Sequence, residues 1–78
     1  MKSVSFHKTK LKCIRTAKGY SQKQLAELSG VSLRSIQMYE QRNKDINKAQ
    51  SESLYRLAKV LGCTMESLLE KQDVDSNF

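Results

Sequence analysis

The 78-residue sequence has no proline, only three glycines and one histidine, and it lacks any long apolar segment. A membrane-spanning helix needs roughly 18 or more apolar residues in a row, and no run approaches that length. The first residues also lack the apolar core of a secretory signal segment. These absences predict a soluble protein that works in the cytoplasm, where it is made, and that makes no membrane contact.

Cysteine is scarce as well, and its pattern argues against two kinds of site. Cys13 and Cys63 lie far apart, and His7 is the only other soft metal ligand. Because this is neither the spacing of a metal site nor a disulfide framework, we expect two reduced thiols and no metal or other cofactor. His7 is interpreted as solvent-exposed. No nucleophile with a base and no carboxylate pair can be assembled, which argues against an enzyme.

Acidic residues are missing from the first 20 positions, and this absence is more informative than the cysteines. The net charge is +6 and the pI about 9.6. The basic residues of that region are Lys2, Lys8, Lys10, Lys12, Arg15 and Lys18. From Asp45 onward, six acidic residues outnumber four basic ones. The basic half favours a polyanionic partner, most simply nucleic acid, although a solvated basic surface explains the charge alone equally well.

The residues that are present form a succession of helix signals, and each glycine falls where a helix should end. A first helix is predicted from about Phe6 to Lys18, with Leu11 and Ile14 buried, and it ends at Gly19. The segment from Ser21 to Gln24 then has the form of a capping box. It opens a second helix that ends at Gly30, with the inward positions Leu25, Ala26 and Leu28. Ser32 is predicted to cap a third helix, from about Leu33 to Gln41.

The second half of the chain repeats these signals. Asn47-Lys48-Ala49-Gln50 also has the form of a capping box and is predicted to start the longest helix, which ends at Gly62. The apolar stripe of that helix follows i, i+3, i+4 and i+7, at Leu54, Leu57, Ala58 and Leu61. Thr64 is predicted to cap a final turn or two that carries Met65, Leu68 and Leu69. The expected fold is therefore all-α, a compact five-helix bundle in residues 1–70, followed by a flexible tail in residues 71–78.

The link between the second and third helices is unusually short. Only Gly30, Val31 and Ser32 separate them, so we expect the steep crossing of a helix-turn-helix. Ala26 allows the two helices to approach closely, and Gly30 can adopt the positive φ that ends the first of the pair. Val31 and Ile36 are predicted to fill the crease between them.

The outer side of the third helix has the chemistry of a base-reading surface. Arg34, Gln37 and Met38 span an arc of roughly 100°. That arc lies opposite Ile36 and Tyr39. Arginine can bind guanine through two hydrogen bonds, glutamine can do so with adenine, and an apolar tip can contact a thymine methyl group. Packing alternatives stay open, since Leu33 could pack on the first turn and Met38 could lie at the rim of the core.

The segments LKCIRTAKGYSQKQLAELSGVSLRSIQMYEQ and LYRLAKVLGCTMESLL resemble the phage-repressor and Cro-like helix-turn-helix domains, the XRE family. The resemblance covers about Leu11 to Glu70. It departs from the common pattern at Leu28-Ser29, where many members have a polar residue followed by leucine. It implies a DNA-binding transcriptional regulator, expected to be a repressor, with the third helix in the major groove.

The resemblance also assigns roles to individual residues. The expected base-reading residues are Leu33, Arg34, Gln37 and Met38. The family's phosphate contacts map onto Gln22, Asn43 and Lys44. Arg42 is also expected to bind phosphate, as is Ser32, whose first role is to cap the helix. Arg15 and Glu40 occupy positions that pair in many members as a buried bridge between the first and third helices.

Two expectations concern partners. Because one recognition helix reads only a few base pairs, we expect a homodimer, at least on DNA, bound to a two-fold symmetric operator on the nucleoid. The alternative is a protein-interaction module of the same fold, similar to an antitoxin or antirepressor, with weak DNA contact. Its surface could involve the apolar residues Met65, Val74 and Phe78.

Overall fold

The computed structural model describes residues 8–70, and the predicted tail of residues 71–78 lies outside them. The described chain contains four α-helices and two short 3-10 turns, with no strand. The helices are α1 (Lys10–Ala17), α2 (Gln22–Ser29), α3 (Leu33–Glu40) and α4 (Ser51–Leu61). The first 3-10 turn spans Ile46–Lys48 and the second spans Glu66–Leu68. The all-α prediction is therefore confirmed for residues 8–70, whereas the count of five α-helices is not reached.

The core lies where the helices converge. Helix α4 contributes the predicted stripe of Leu54, Leu57, Ala58 and Leu61, all of which are buried. Leu11, Leu25, Ile36 and Leu68 join this stripe from the other elements and are essentially inaccessible to solvent. Burial of such side chains is the main stabilising contribution in a domain of this size.

The sequence signals at α2 and α3 are confirmed in detail. Ser21 Oγ accepts from the backbone N–H of Gln24 at 3.0 Å, and Gln24 Oε1 accepts from the N–H of Ser21 at 2.8 Å, which completes the capping box. Gly30 ends α2 with a φ of +79°. Val31 and Ile36 are both buried at the crossing of the two helices. The two helices joined by this short link are thus present, and the residues predicted to fill the crease between them are buried.

One inward position in α2 was predicted wrongly. Leu28 has 58% of its surface exposed, whereas the next residue, Ser29, is buried. The reason is the helical period, because Ser29 lies one turn after the fully buried Leu25 and Leu28 falls on the flank of that face. The Ser29 hydroxyl accepts from the backbone N–H of Val31 at 3.1 Å, so the small polar side chain is satisfied inside the turn.

The predicted start of the longest helix was also wrong. Asp45 accepts from the N–H of Asn47 at 2.9 Å and closes the first 3-10 turn, after which Ala49 is extended, with φ −68° and ψ 154°. Helix α4 therefore begins only at Ser51, and no side chain caps it. The Asn47 amide, which was expected to cap this helix, instead hydrogen-bonds the backbone of Glu70.

The ends of the chain show smaller differences. Helix α1 begins at Lys10, capped by Thr9, rather than at Phe6, which lies outside the described residues. The predicted last helix is a single 3-10 turn, in which Thr64 Oγ1 accepts from the N–H of Ser67 at 3.2 Å. It stops because Leu69 is extended and the backbone of Glu70 pairs with Asn47.

Both cysteines are free thiols. Cys13 is exposed, while burial raises the pKa of the Cys63 thiol against an opposing effect of Lys18. Residues 8–70 contain no cluster of histidine, cysteine and acidic side chains suited to a metal ion. Over the same range, no helix has the length and apolar character of a membrane span.

Candidate nucleic-acid interface

A buried ion pair holds α3 against α1. Arg15 Nε lies 2.7 Å from Glu40 Oε2, and Arg15 Nη2 donates to Glu40 Oε1 at 2.9 Å. The two side chains are only 8% and 3% exposed. Arg15 Nη1 also donates to the Tyr20 carbonyl at 2.8 Å, so the guanidinium binds three acceptor atoms. The pair expected from the resemblance is present, and its two-bond geometry fixes the orientation of α3 as well as its distance from α1.

Gln22 adds α2 to this network. Its Nε2 donates to Glu40 Oε1 at 2.9 Å, and the residue is half-buried at the first position of α2. Gln22 was expected to contact phosphate, but in this structure its carboxamide is a partner of Glu40. The sequence contained no signal for this contact, because the two residues lie 18 positions apart and meet only when the helix pair closes.

The outward face of α3 holds the four expected base-reading residues together. Arg34 and Leu33 are exposed, whereas Gln37 and Met38 are half-buried. The N-terminus of the helix is ordered by Ser32, whose Oγ accepts from the N–H of Ser35 at 3.1 Å and lies 2.9 Å from the Ser35 hydroxyl. The exposed Arg34 is therefore the second residue of a capped helix whose opposite side is buried in the core.

The turn after α3 is tightly defined by backbone hydrogen bonds. The N–H of Arg42 donates to the Tyr39 carbonyl at 3.1 Å, and the N–H of Asn43 donates to the Met38 carbonyl at 2.9 Å. These two bonds form a Schellman motif, whose left-handed residue is usually glycine. Here that residue is Arg42, with a φ of +63°. An arginine in this conformation costs about 1 kcal/mol relative to a relaxed residue.

The side chains of this turn include three of the expected phosphate-binding residues. Lys44 Nζ lies 5.7 Å from the centre of the Tyr39 ring, which places its charge beside α3. Asn43 Nδ2 donates to Gln41 Oε1 at 3.1 Å. Arg42 Nη1 lies 3.6 Å from Glu70 Oε1. The structure therefore brings Arg42, Asn43 and Lys44 together at the C-terminal end of α3.

A pocket of about 430 Å³ extends this basic region toward α4. Its lining comes from α3, from the first 3-10 turn with the residues on either side of it, and from the start of α4. It consists of Ser35, Tyr39, Lys44, Asp45, Lys48, Ala49, Gln50 and Ser53. Lys48 was not among the expected site residues. The sequence alone did not indicate Lys48, because the incorrect capping-box prediction placed it in the first turn of a helix rather than at the edge of a pocket.

The model of the helix-turn-helix family matches residues 11–68, which are most of the chain. The protein therefore belongs to this family, and its residues place it with the phage-repressor and Cro-like domains. Membership makes it a DNA-binding regulator of that type, in a family of regulatory domains rather than enzymes. No curated protein matches the sequence.

Proposed function

We propose that the protein is a transcriptional repressor that inserts α3 into the major groove of double-stranded DNA. The observation that carries this proposal is that the N-terminal turn of α3 is exposed and capped, while the buried pair of Arg15 and Glu40 fixes the C-terminal end of the same helix against α1. A B-DNA major groove admits one α-helix, and a rigidly held helix keeps its side chains in register with the base edges. Repression follows most simply from occupation of the site.

Each base-reading residue has a defined chemical role in this proposal. Arg34 binds guanine O6 and N7 through its two-pronged guanidinium, and Gln37 pairs with adenine. Leu33 and Met38 provide apolar contact with thymine methyl groups. The half-buried positions of Gln37 and Met38 restrict their rotamers, and an ordered side chain loses less conformational entropy on binding.

Phosphate contacts flank this surface on both sides. Arg42, Asn43, Lys44 and Lys48 supply them beyond the C-terminal end of α3. Ser32 and Gln22 supply them at the helix starts, where backbone N–H groups and the helix dipole favour an anion. Because the Gln22 side chain is bound to Glu40, its contribution comes through its backbone position at the start of α2.

Selection of binding sites from a random duplex pool tests this function. We expect an enriched motif with a guanine in each half-site, bound with an affinity that falls steeply as salt is raised, because each phosphate contact releases counterions. A selection that enriches no motif, together with an affinity that does not change with salt concentration, would reject the proposal that the protein reads DNA sequence.

A protein-interaction module of the same fold is the second candidate, and the exposure of Leu28 favours it. A leucine that is 58% exposed on α2 is an apolar group suited to a protein partner. Under this alternative the protein would bind duplex DNA weakly, and Leu28→Gln would abolish partner binding without changing the affinity for DNA.

A further inference from the structure

Glu70 joins three separate parts of the chain. Its backbone N–H donates to Asn47 Oδ1, and its carbonyl accepts from Asn47 Nδ2, both at 2.9 Å. Its carboxylate oxygen Oε2 accepts from the backbone N–H of Lys10 at 2.7 Å. The other oxygen, Oε1, lies 3.6 Å from Arg42 Nη1. One residue therefore contacts the first turn of α1 and the turn that follows α3.

The contact with Lys10 stabilises α1. No acidic residue lies in the first turn of this helix, although its N-terminus carries the positive end of the helix dipole. The Glu70 carboxylate supplies the missing negative charge from 60 positions away in the sequence. The half-buried amide of Asn47 holds both backbone groups of Glu70, so the carboxylate stays at this place.

The contact with Arg42 has a different character. At 3.6 Å, with side chains 48% and 24% exposed, it is a loose surface pair, which contributes little to stability and exchanges readily. Arg42 also belongs to the turn that is proposed to face the DNA backbone. A carboxylate at this position competes with phosphate for Arg42, and it repels the phosphate itself.

We propose that Glu70 limits the affinity for DNA, as an internal competitor that occupies Arg42 until a phosphate displaces it. This inference rests on the proposed function, since it takes Arg42 to be a phosphate contact. Glu70 then has two effects of opposite sign, because the same carboxylate stabilises α1 and weakens DNA binding. A purely structural residue would affect both properties in the same direction.

Glu70→Gln tests the proposal, and Glu27→Gln is the matched control. Glu27 is an exposed residue of α2, and its substitution changes the net charge equally. Binding is measured by fluorescence anisotropy with a short duplex of mixed sequence across a salt series. For Glu70→Gln we expect about a two- to fivefold gain in affinity, the range of one lost surface ion pair. The salt slope should steepen by up to about one unit, while the melting temperature falls. Glu27→Gln should change affinity less and leave the melting temperature unaltered.

Arg42→Gly supplies the second arm. Glycine suits the positive φ at this position, so this variant should fold. In this background Glu70→Gln should give no gain beyond that of Glu27→Gln. An unchanged or lower affinity of Glu70→Gln in the wild-type background, or an equal gain without Arg42, would overturn the proposal. If the wild-type protein binds no duplex, the proposed function itself fails, which is a distinguishable result.

Discussion

Glu40 accepts hydrogen bonds from two other helices, and its environment illustrates how one residue can set the geometry of a surface it does not form. Arg15 donates to both of its carboxylate oxygens and Gln22 donates to one. Glu40 is also the last residue of α3, immediately before the turn that carries Arg42. Glu40 therefore connects the start of α2 and the end of α3 to α1. These contacts fix the position of the helix that presents the exposed face.

Loss of either partner of this pair should be strongly destabilising. Arg15→Met and Glu40→Leu should each lower the free energy of unfolding by about 3–5 kcal/mol, because each leaves a desolvated charge without its partner. The double variant should be more stable than the sum of the two single changes implies, since no orphaned charge remains. Urea unfolding of the four proteins measures this coupling. Single costs below about 1 kcal/mol would show that the pair behaves as an exposed one.

Arg34 and Lys44 should differ in the pattern of their effects on DNA binding. Arg34→Ala should cost about 1–3 kcal/mol on the selected site and relax preference at one base pair, because the exposed guanidinium is proposed to read a base edge. Lys44→Ala should weaken all sequences alike and flatten the salt slope by about one unit. Affinities for matched and singly mismatched duplexes separate the two. An equal loss on both duplexes for Arg34→Ala would assign that side chain to phosphate.

At the scale of elements, local sequence signals predicted the structure correctly where the stabilising contacts are themselves local. Ser21 and Ser32 cap the helices that follow them through bonds spanning three residues, and both caps could be predicted from the sequence. Asn47 has the same local signal, but its side chain donates to the carbonyl of Glu70, 23 positions away. The start of α4 and the length of the last segment therefore depended on a tertiary contact that no local pattern encodes.

The features of the candidate site were likewise predictable only where they depend on local sequence. The outward face of α3 followed from helical period alone, as did the apolar stripe of α4. The engagement of Gln22 with Glu40, the contact of Glu70 with Arg42 and the place of Lys48 beside a pocket could not be predicted, because each arises between segments distant in sequence. Leu28 was misplaced for a different reason, since a leucine usually marks the inward face and here it lies on the flank.

Asn47→Ala should destabilise the protein more than an exposed asparagine would. The substitution removes both hydrogen bonds to the backbone of Glu70, and part-buried polar groups that lose their partners cost about 1–3 kcal/mol. Asn43→Ala is the matched control, because this exposed side chain donates to the exposed Gln41, and a change within about 0.5 kcal/mol is expected. Thermal unfolding of both variants measures the two losses of stability. Equal losses would mean that the Asn47 contact contributes nothing.

At the scale of the molecule, size and recognition capacity together favour a pair of chains on DNA. The principal extents of one copy are 37, 27 and 20 Å, and the longest of them is close to the length of one duplex turn, about 34–36 Å. Its single recognition helix offers four candidate base-reading side chains, Leu33, Arg34, Gln37 and Met38, which can distinguish only a few base pairs. Two half-sites on the same face of the duplex lie about 34–36 Å apart, a spacing at which copies of this size can touch.

We therefore predict that two copies bind a two-fold symmetric site and that they meet through the second 3-10 turn and its flanks, Thr64 to Glu70. This segment presents the half-buried apolar side chains of Met65 and Leu69, which a second copy could cover. Met65→Glu should place a like charge opposite itself across the two-fold axis and abolish cooperative binding to the full site, while binding to an isolated half-site stays unchanged. Sedimentation of the protein–duplex complex measures the stoichiometry. One chain per full site at saturation, or a selected motif without a dyad, would contradict the dimer.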